Sequence, residues 1–423
     1  MKTHPNIDLT VTGQDRDILR RLAAQQVEIA ALPVQREKAE LWRRLNDLQP
    51  QRPMVWITEI PWHEMNVDNE LTLRTSTPWL QGIERELRRR LYQWRHFPVD
   101  MIMDDYIACP KVIHSTGLGI SEDVEIRVTD QNSDIYSRHF HQQIACLQDV
   151  DKIKTPVVTF DHETTEQTCH AMAGIFGNIL PVRVTGFKGK WFAPWDELIR
   201  WFGVEQAMTD LIDRPELVHS AMARLMDAKL AELDQWQALG LLDRNDDNTR
   251  IGSGGYGYTT DLPGKNLNPK QVRTENMWGC ATAQIFSEVS EAMHQEFALQ
   301  HELRWLQRWG LVYYGCCEPL DGKMSMLRTI PRLRKISMSP RIQIERAVKE
   351  VGDAFVFSRK PNPAVLAWEV WRPDAARQEL EDFLHAVYGC CIEIILKDIS
   401  TVHYQPQRLW EWARIAMNLV QDY

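Results

Sequence analysis

The densest chemistry in the chain lies in Leu311-Val312-Tyr313-Tyr314-Gly315-Cys316-Cys317-Glu318-Pro319-Leu320. Four strand-forming residues lead into a glycine, two adjacent thiols, a carboxylate and a proline. Proline has no N–H to give to a ladder, so it ends the strand. Cys316, Cys317 and Glu318 are therefore expected at a strand's C-terminal end, where α/β proteins keep their reactive groups. Thiolate and carboxylate are both zinc ligands. A cysteine is equally at home as a small buried hydrophobe, and the sequence leaves both readings open.

Other stretches share this form. Met54-Val55-Trp56-Ile57-Thr58 runs into Glu59, Pro61 and Trp62. Asp100-Met101-Ile102-Met103 runs into Asp104 and Asp105, and Leu241-Leu242 into Asp246 and Asp247. Ala354-Phe355-Val356-Phe357-Ser358 runs into Arg359, Lys360 and Pro361. Ile392-Glu393-Ile394-Ile395-Leu396 runs into Lys397 and Asp398, with Ser400 and His403 beyond. A carboxylate just after a strand also serves as a helix cap, so the aspartate pairs carry that second reading. Gly252-Ser253-Gly254-Gly255-Tyr256-Gly257-Tyr258 reads either as a loop that closes on a ligand or as an ordinary glycine-rich connection.

The elements that must position these residues follow from periodicity. Apolar stripes predict helices over 14–48, broken at Pro33, and over 78–95, 163–176, 195–202, 204–213, 215–239, 287–309, 373–387 and 406–421. Ile179–Gly186 and Leu333–Ser339 add two strands, making eight with those above. Eight strands alternating with helices predict a parallel α/β architecture, and at this length a TIM (β/α)8 barrel. Residues 1–50 read as an N-terminal helical extension and 51–423 as the barrel. A β-rich insertion at about 109–160 is marked by Gly117-Leu118-Gly119 and the alternation of Val124 to Val128.

Composition sets the class. The chain has 423 residues, 44% hydrophobic and 25% charged, with a net charge of −9. That is a globular balance, and the acidic total argues against nucleic-acid binding. The basic run Arg85 to Arg90 sits on a helical pattern and reads as a solvated face. The first residues, Met1 to Asn6, lack the apolar core of a signal peptide, and no apolar run reaches membrane-spanning length. A cytoplasmic location is expected. Eight cysteines, with Cys316/Cys317 and Cys390/Cys391 adjacent, fit reduced thiols better than cross-links.

From about Pro53 onward the chain resembles the uroporphyrinogen decarboxylase superfamily, which includes corrinoid-linked zinc methyltransferases. The resemblance rests on Phe202-Gly203-Val204-Glu205-Gln206 through Asp213-Arg214-Pro215-Glu216-Leu217-Val218-His219. It rests also on Ser287 to Phe297 leading to Tyr313-Tyr314-Gly315-Cys316, and on Ser358-Arg359-Lys360-Pro361-Asn362-Pro363. It implies a TIM barrel. The arginines that hold porphyrinogen carboxylates after the first strand are absent here and Glu59 stands in their place, which disfavours a polycarboxylate substrate.

The methyltransferase branch implies zinc on His-x-Cys and a later Cys. Cys316 matches that cysteine, whereas Tyr314 replaces the histidine and the late cysteine is missing. The implied metal set here is Cys316, Cys317, Glu318, Asp398 and His403. Glu59, Asp104 and Asp105 are the catalytic candidates. Trp62, Tyr256, Tyr258, Arg359 and Lys360 are those for substrate. The function implied is zinc-dependent transfer of a methyl group between a small methylated substrate or thiol and a corrinoid protein. The alternative is a metal-independent decarboxylase or lyase of the same superfamily acting on a non-porphyrin carboxylate. A corrinoid carried by a partner protein and a homodimer complete the expectations.

Overall fold

The computed structural model describes residues 7–128, 136–265, 267–268 and 271–423; Met1 to Asn6, with the expected absence of a signal peptide, lie outside them. A helix spans Gly13–Ala30, opened by a capping box between Thr12 and Asp15. Pro33 begins a second helix, Pro33–Asn46, because proline suits a first helical turn and spoils an interior. Ile18, Leu19 and Leu22 of the first helix pack against Leu80, Leu87 and Leu91 of helix Pro78–His96 and against Ile175 and Phe176. Trp42 of the second is fully buried against Met54, Val356 and Ile395, at the base of the sheet.

The central sheet has six strands, all parallel, in the order Met54–Ile57, Cys391–Leu396, Val356–Arg359, Leu333–Met338, Leu311–Tyr314, Trp278–Ala281. Side chains alternate between two faces, as the pleat requires. One face carries Val55, Ile57, Ile336, Phe357, Ile392 and Ile394, packed in the main apolar cluster with the helices. The other carries Tyr313, Lys335, Ser337, Ser358 and Glu393, all fully buried. Pairings such as Ser337↔Ser358 and Ser358↔Glu393 line these polar residues up in rows.

The sequence predicts eight strands closing into a barrel; among the described residues the structure shows a parallel α/β sheet of six strands without ladder closure. Trp278–Ala281 is a strand that periodicity missed. Asp100–Tyr106 is not one; the strand is Ile107–Pro110, which pairs in parallel with Val182–Thr185 apart from the main sheet. Leu241 to Asp247 contributes only an isolated bridge, Phe187↔Leu242. At the sheet's two edges side chains share the pairing with backbone: Asp100 N donates to Val55 O at 2.9 Å. Asp100 Oδ2 accepts from Val55 N at 2.8 Å. The Asn245 amide accepts from Trp278 N at 2.9 Å and donates to Trp278 O at 3.0 Å. Buried backbone groups must be paired, and a carboxylate or amide pairs them as well as a strand does.

The stretch read as a β-rich insertion holds two antiparallel pairs, Val112–Ser115 with Val158–Asp161 and Val124–Arg127 with Ser137–Phe140. Gly117 and Gly119 both take positive φ, as turn glycines do. The expected helix 287–309 runs shorter and carries a π turn within it: Glu291–His294, the π turn Gln295–Leu299, then Gln300–Leu306. Among the described residues no helix is long and apolar enough to cross a membrane.

Candidate functional site

The loop after Leu311–Tyr314 and the loop after Cys391–Leu396 meet at the C-terminal end of the sheet. Gly315 makes the first turn possible: its φ is 97°, and an added Cβ would lie 2.5 Å from Leu320 Cδ1. Beyond it the thiols of Cys316 and Cys317 lie 3.4 Å apart. Cys316 is buried and Cys317 exposed. Glu393, Ile395 and Lys397 share one face by strand alternation, so Lys397 comes up beside the thiols. Its ammonium lies 3.4 Å from Cys316 Sγ, 3.6 Å from Cys317 Sγ and 2.5 Å from Asp398 Oδ2. Cys317 Sγ donates to Asp398 Oδ2 at 3.4 Å.

Glu59, at the end of the neighbouring strand, completes the group. It accepts from Asp398 N at 3.2 Å, pairs with Arg250 at 2.8 Å and lies 3.6 Å from Lys397. Glu59 and Asp398 both have left-handed backbones, φ 54° and 56°. Such strain in non-glycine residues is concentrated at working sites.

The charges act on one another. A hydrogen bond from Cys317 lowers the Cys316 thiol despite its burial, and Lys397 lowers it further. The Cys317 thiol is pushed up, first by its bond to Cys316 and then by burial. The two thiols are thus driven apart, Cys316 toward the more acidic side and Cys317 toward the less acidic. Burial works against the Lys397 ammonium, but the Cys316 sulfur, Glu59, Cys317 and Asp398 outweigh it and hold its proton. Partial burial likewise opposes ionisation of Glu59, while Lys397, a hydrogen bond with the Asp398 side chain and Arg250 bring it down to about 2.

A cavity of about 340 Å³ opens beside this group, walled by Glu59, Arg250, Trp56, Trp62 and Tyr256, with Arg89, Arg90 and Asp104 across from them. Arg89 lies over the Trp62 ring, 4.8 Å from its centre, and Arg90 pairs with Asp104 at 2.8 Å. The basic run of helix Pro78–His96, expected as a solvated face, therefore sends two guanidiniums to the cavity.

Several expected site residues sit elsewhere. Glu318 is fully buried and accepts from Thr282 Oγ1 at 2.8 Å and from Cys316 N at 2.9 Å, so it fixes the loop. His403 Nε2 is bonded to Ala367 O at 2.8 Å. Among the described residues no three His, Cys, Asp or Glu side chains gather as a metal-binding group. Of the expected set of Cys316, Cys317, Glu318, Asp398 and His403, Glu318 and His403 face other partners, and the Lys397 ammonium lies beside the remaining three. Asp105 is exposed and lies 3.2 Å from Arg183. Arg359 points to the helix side, where it donates to Ser339 O at 2.8 Å and covers Phe383.

Lys360 is buried on the polar face, donating to Ser358 Oγ at 2.7 Å and Tyr313 OH at 3.0 Å. Burial pulls it down to about 7, against the opposing pull of Glu393. Below it, Lys335 and Glu393 form an ion pair at 2.9 Å with no exposure of either side chain.

The glycine-rich segment packs into the protein beside the sheet's polar face. Its residues are largely buried. A Cβ on Gly252 (φ 55°) would stand 2.5 Å from the Tyr313 ring, and one on Gly254 would meet Glu393. Tyr256 reaches the cavity wall, whereas Tyr258 is held through its carbonyl by Asn46 at 2.7 Å.

Tyr314, at the position where the resemblance implies histidine, belongs to a separate buried chain. Lys323 lies 3.3 Å from His294 Nδ1, His294 Nε2 bonds Tyr314 OH at 2.8 Å, and Tyr314 OH donates to Glu302 Oε2 at 2.8 Å. His294 and Glu302 are eight residues apart, roughly 0.8 residue more than two α-turns. The intervening π turn absorbs the excess and puts both on one face. Burial raises Glu302 to about 8, the Tyr314 bond opposing it and Glu318 and Asp196 adding to it.

In overall fold the chain is similar to a methyltransferase from Methanosarcina mazei, with a TM-score of 0.50 over 91% of this chain and 98% of that one at 10% sequence identity. No protein-family model matches the chain, and no curated protein matches it.

Proposed function

We propose that this chain is a methyltransferase that works at the strand-end group of Cys316, Cys317, Lys397, Asp398 and Glu59. The observation that carries the reading is that group's position: two thiols and an ammonium at the C-terminal end of a parallel sheet, one wall away from a cavity of substrate size. The fold likeness to a methyltransferase supports the same class.

In this reading a small methylated molecule occupies the cavity against Trp56, Trp62 and Tyr256. Arg250 and Arg89 orient any anionic part of it. Glu59, ionised at all working pH values, keeps Lys397 and Arg250 in place and touches no reacting atom. A corrinoid protein is the partner that exchanges the methyl group, docked over the strand ends where Cys317 and Asp398 are exposed. The corrinoid, when bound, supplies a cobalt that takes or gives the methyl. Zinc, which the resemblance also implies, does not suit the donors as arranged, so no step passes through it.

The lyase alternative needs Asp104 or Asp105 to act with Arg359 and Lys360. Asp104 is engaged by Arg90, Asp105 lies outside, and Arg359 faces the helices. No observation favours that reading. For the fold, we propose that the segments around Asp100–Pro110, Val182–Phe187 and Leu241–Asn245 join the two edges of the six-stranded sheet into one TIM-like wall. The edge bonds of Asp100 and Asn245 and the bridge at Phe187 support this.

The test is an assay of methyl transfer from a panel of methylated amines, thiols and aryl ethers to reduced cobalamin, followed by absorbance. Formation of methylcobalamin that vanishes in Cys316→Ser is the expected result. Transfer unchanged in that variant would overturn the assignment of the site.

A further inference from the structure

We propose that Lys397 is the resident cation of this site in place of a metal, and that the Cys316–Cys317 pair is a nucleophile that accepts an alkyl group from electrophilic carbon. The inference goes beyond methyl transfer to a partner and does not rest on it.

The geometry argues as follows. A dithiol at a strand end, flanked by carboxylates, invites a divalent cation. Here the positive charge is already supplied from within the chain. The Lys397 ammonium lies 3.4 and 3.6 Å from the two sulfurs and 2.5 Å from Asp398. It is buried and cannot swing out to water without leaving three anionic or sulfur partners behind. A metal would have to displace it, Glu318 and His403 are bonded to other groups, and Glu59 is engaged by Arg250 and the Asp398 N–H.

The near-equal distances matter for reactivity. An ammonium bonded to both sulfurs neutralises whichever one carries the charge. The sulfurs lie 3.4 Å apart, within reach of one shared proton, so in this proposal one sulfur attacks as thiolate and the other is its proton donor. The reaction then balances within the pair. The thiolate electron pair forms a C–S bond to the methyl carbon, and the bond from that carbon to its nitrogen, oxygen or sulfur breaks. The leaving atom departs with the bonding electrons and takes the proton of the second thiol. That thiol becomes the new thiolate, still paired with Lys397. No oxidant or reductant enters. The exposed Cys317 gives access from outside, and Glu59 connects the group to the cavity wall.

Two readouts on the intact chain test this without substrate or partner. The purified protein is treated with iodomethane at pH 7, and methylation of the peptide holding Cys316 and Cys317 is compared by mass spectrometry with that of Cys146, an exposed cysteine elsewhere. The expected result is a single methyl on the pair, added at least about tenfold faster than on Cys146, a gap of one decade or more in rate. Lys397→Met should lose that advantage and Lys397→Arg should restore part of it. The second readout is zinc content after incubation with zinc chloride and desalting, expected to be far below one per chain.

A stoichiometric zinc lost in Cys316→Ser, or a pair that methylates no faster than Cys146, would overturn the proposal. The comparison of the pair with Cys146 is read on the unmodified sequence, so a variant that fails to fold does not shield the proposal. Failure here would leave the cobalamin assay free to succeed, and the reverse holds as well.

Discussion

Replacing Glu302 with glutamine should stabilise the protein, and more so as pH rises. The carboxyl is fully buried, and among the described residues its Oε1 has no hydrogen-bond partner while Oε2 accepts from Tyr314. Burial lifts it from the ordinary 4.5 to about 8. The unfolded chain is then ionised, and the folded chain protonated, between those two pH values. The folded state binds the extra proton, so stability falls as pH rises through this window and the loss is complete above pH 8. At about 1.4 kcal/mol per pH unit the full window corresponds to roughly 5 kcal/mol. Relaxation and water entry reduce such penalties, and about 2 kcal/mol is a fair expectation at pH 8. Glutamine keeps the shape and the acceptor for Tyr314 and has no proton to lose. Chemical denaturation of both proteins at pH 5 and pH 8 checks this. The variant should match its parent within about 1 kcal/mol at pH 5 and exceed it by about 2 at pH 8. A variant no more stable at pH 8 would refute the reasoning and mean that Glu302 is ionised at some partner's expense.

Other outcomes follow from the same side chains. Glu393→Ala leaves Lys335 buried without its partner and should cost about 3–5 kcal/mol, read from the shift in denaturation midpoint. Gly252→Ala forces a methyl against Tyr313 at a positive φ; the added strain of about 1–3 kcal/mol should lower the melting temperature. Arg250→Met removes the Glu59 partner at the cavity wall. It should reduce turnover more than tenfold with a change in melting temperature of only a degree or two, since half-exposed ion pairs contribute at most about 1 kcal/mol. Prolonged chelation should leave both stability and iodomethane reactivity unchanged; a loss restored by zinc would speak for a metal.

Much of the site was legible in the sequence because strand ends announce themselves. The run from Leu311 to Pro319 gave strand, turn and thiols in the right order, and Glu59 and Asp398 were placed beside them by their own strands. Lys397 was missed because a lysine after a strand usually reads as solvated. Alternation from Glu393 through Ile395 was the signal that it points inward. Arg250, Arg89 and Arg90 carry no such signal, since only tertiary packing brings a helix face and a loop to one cavity. The strand Trp278–Ala281 hid behind a glycine and an alanine, residues that rarely favour strands. The lost second and fourth strands have a different cause. Asn245 with both bonds, and Asp100 with one of two, supply from side chains hydrogen bonds that the pattern assigned to backbone, and nothing in one-dimensional periodicity separates the two.

The most direct test of the account follows the methyl group itself. A donor carrying a ¹³C methyl, chosen from those that turn over with reduced cobalamin, is mixed with the protein and quenched during turnover, and the Cys316–Cys317 peptide is analysed for label. The account predicts a labelled S-methyl on one sulfur of that pair, absent in Lys397→Met. Turnover with an unlabelled pair and a stoichiometric metal in the protein would contradict it.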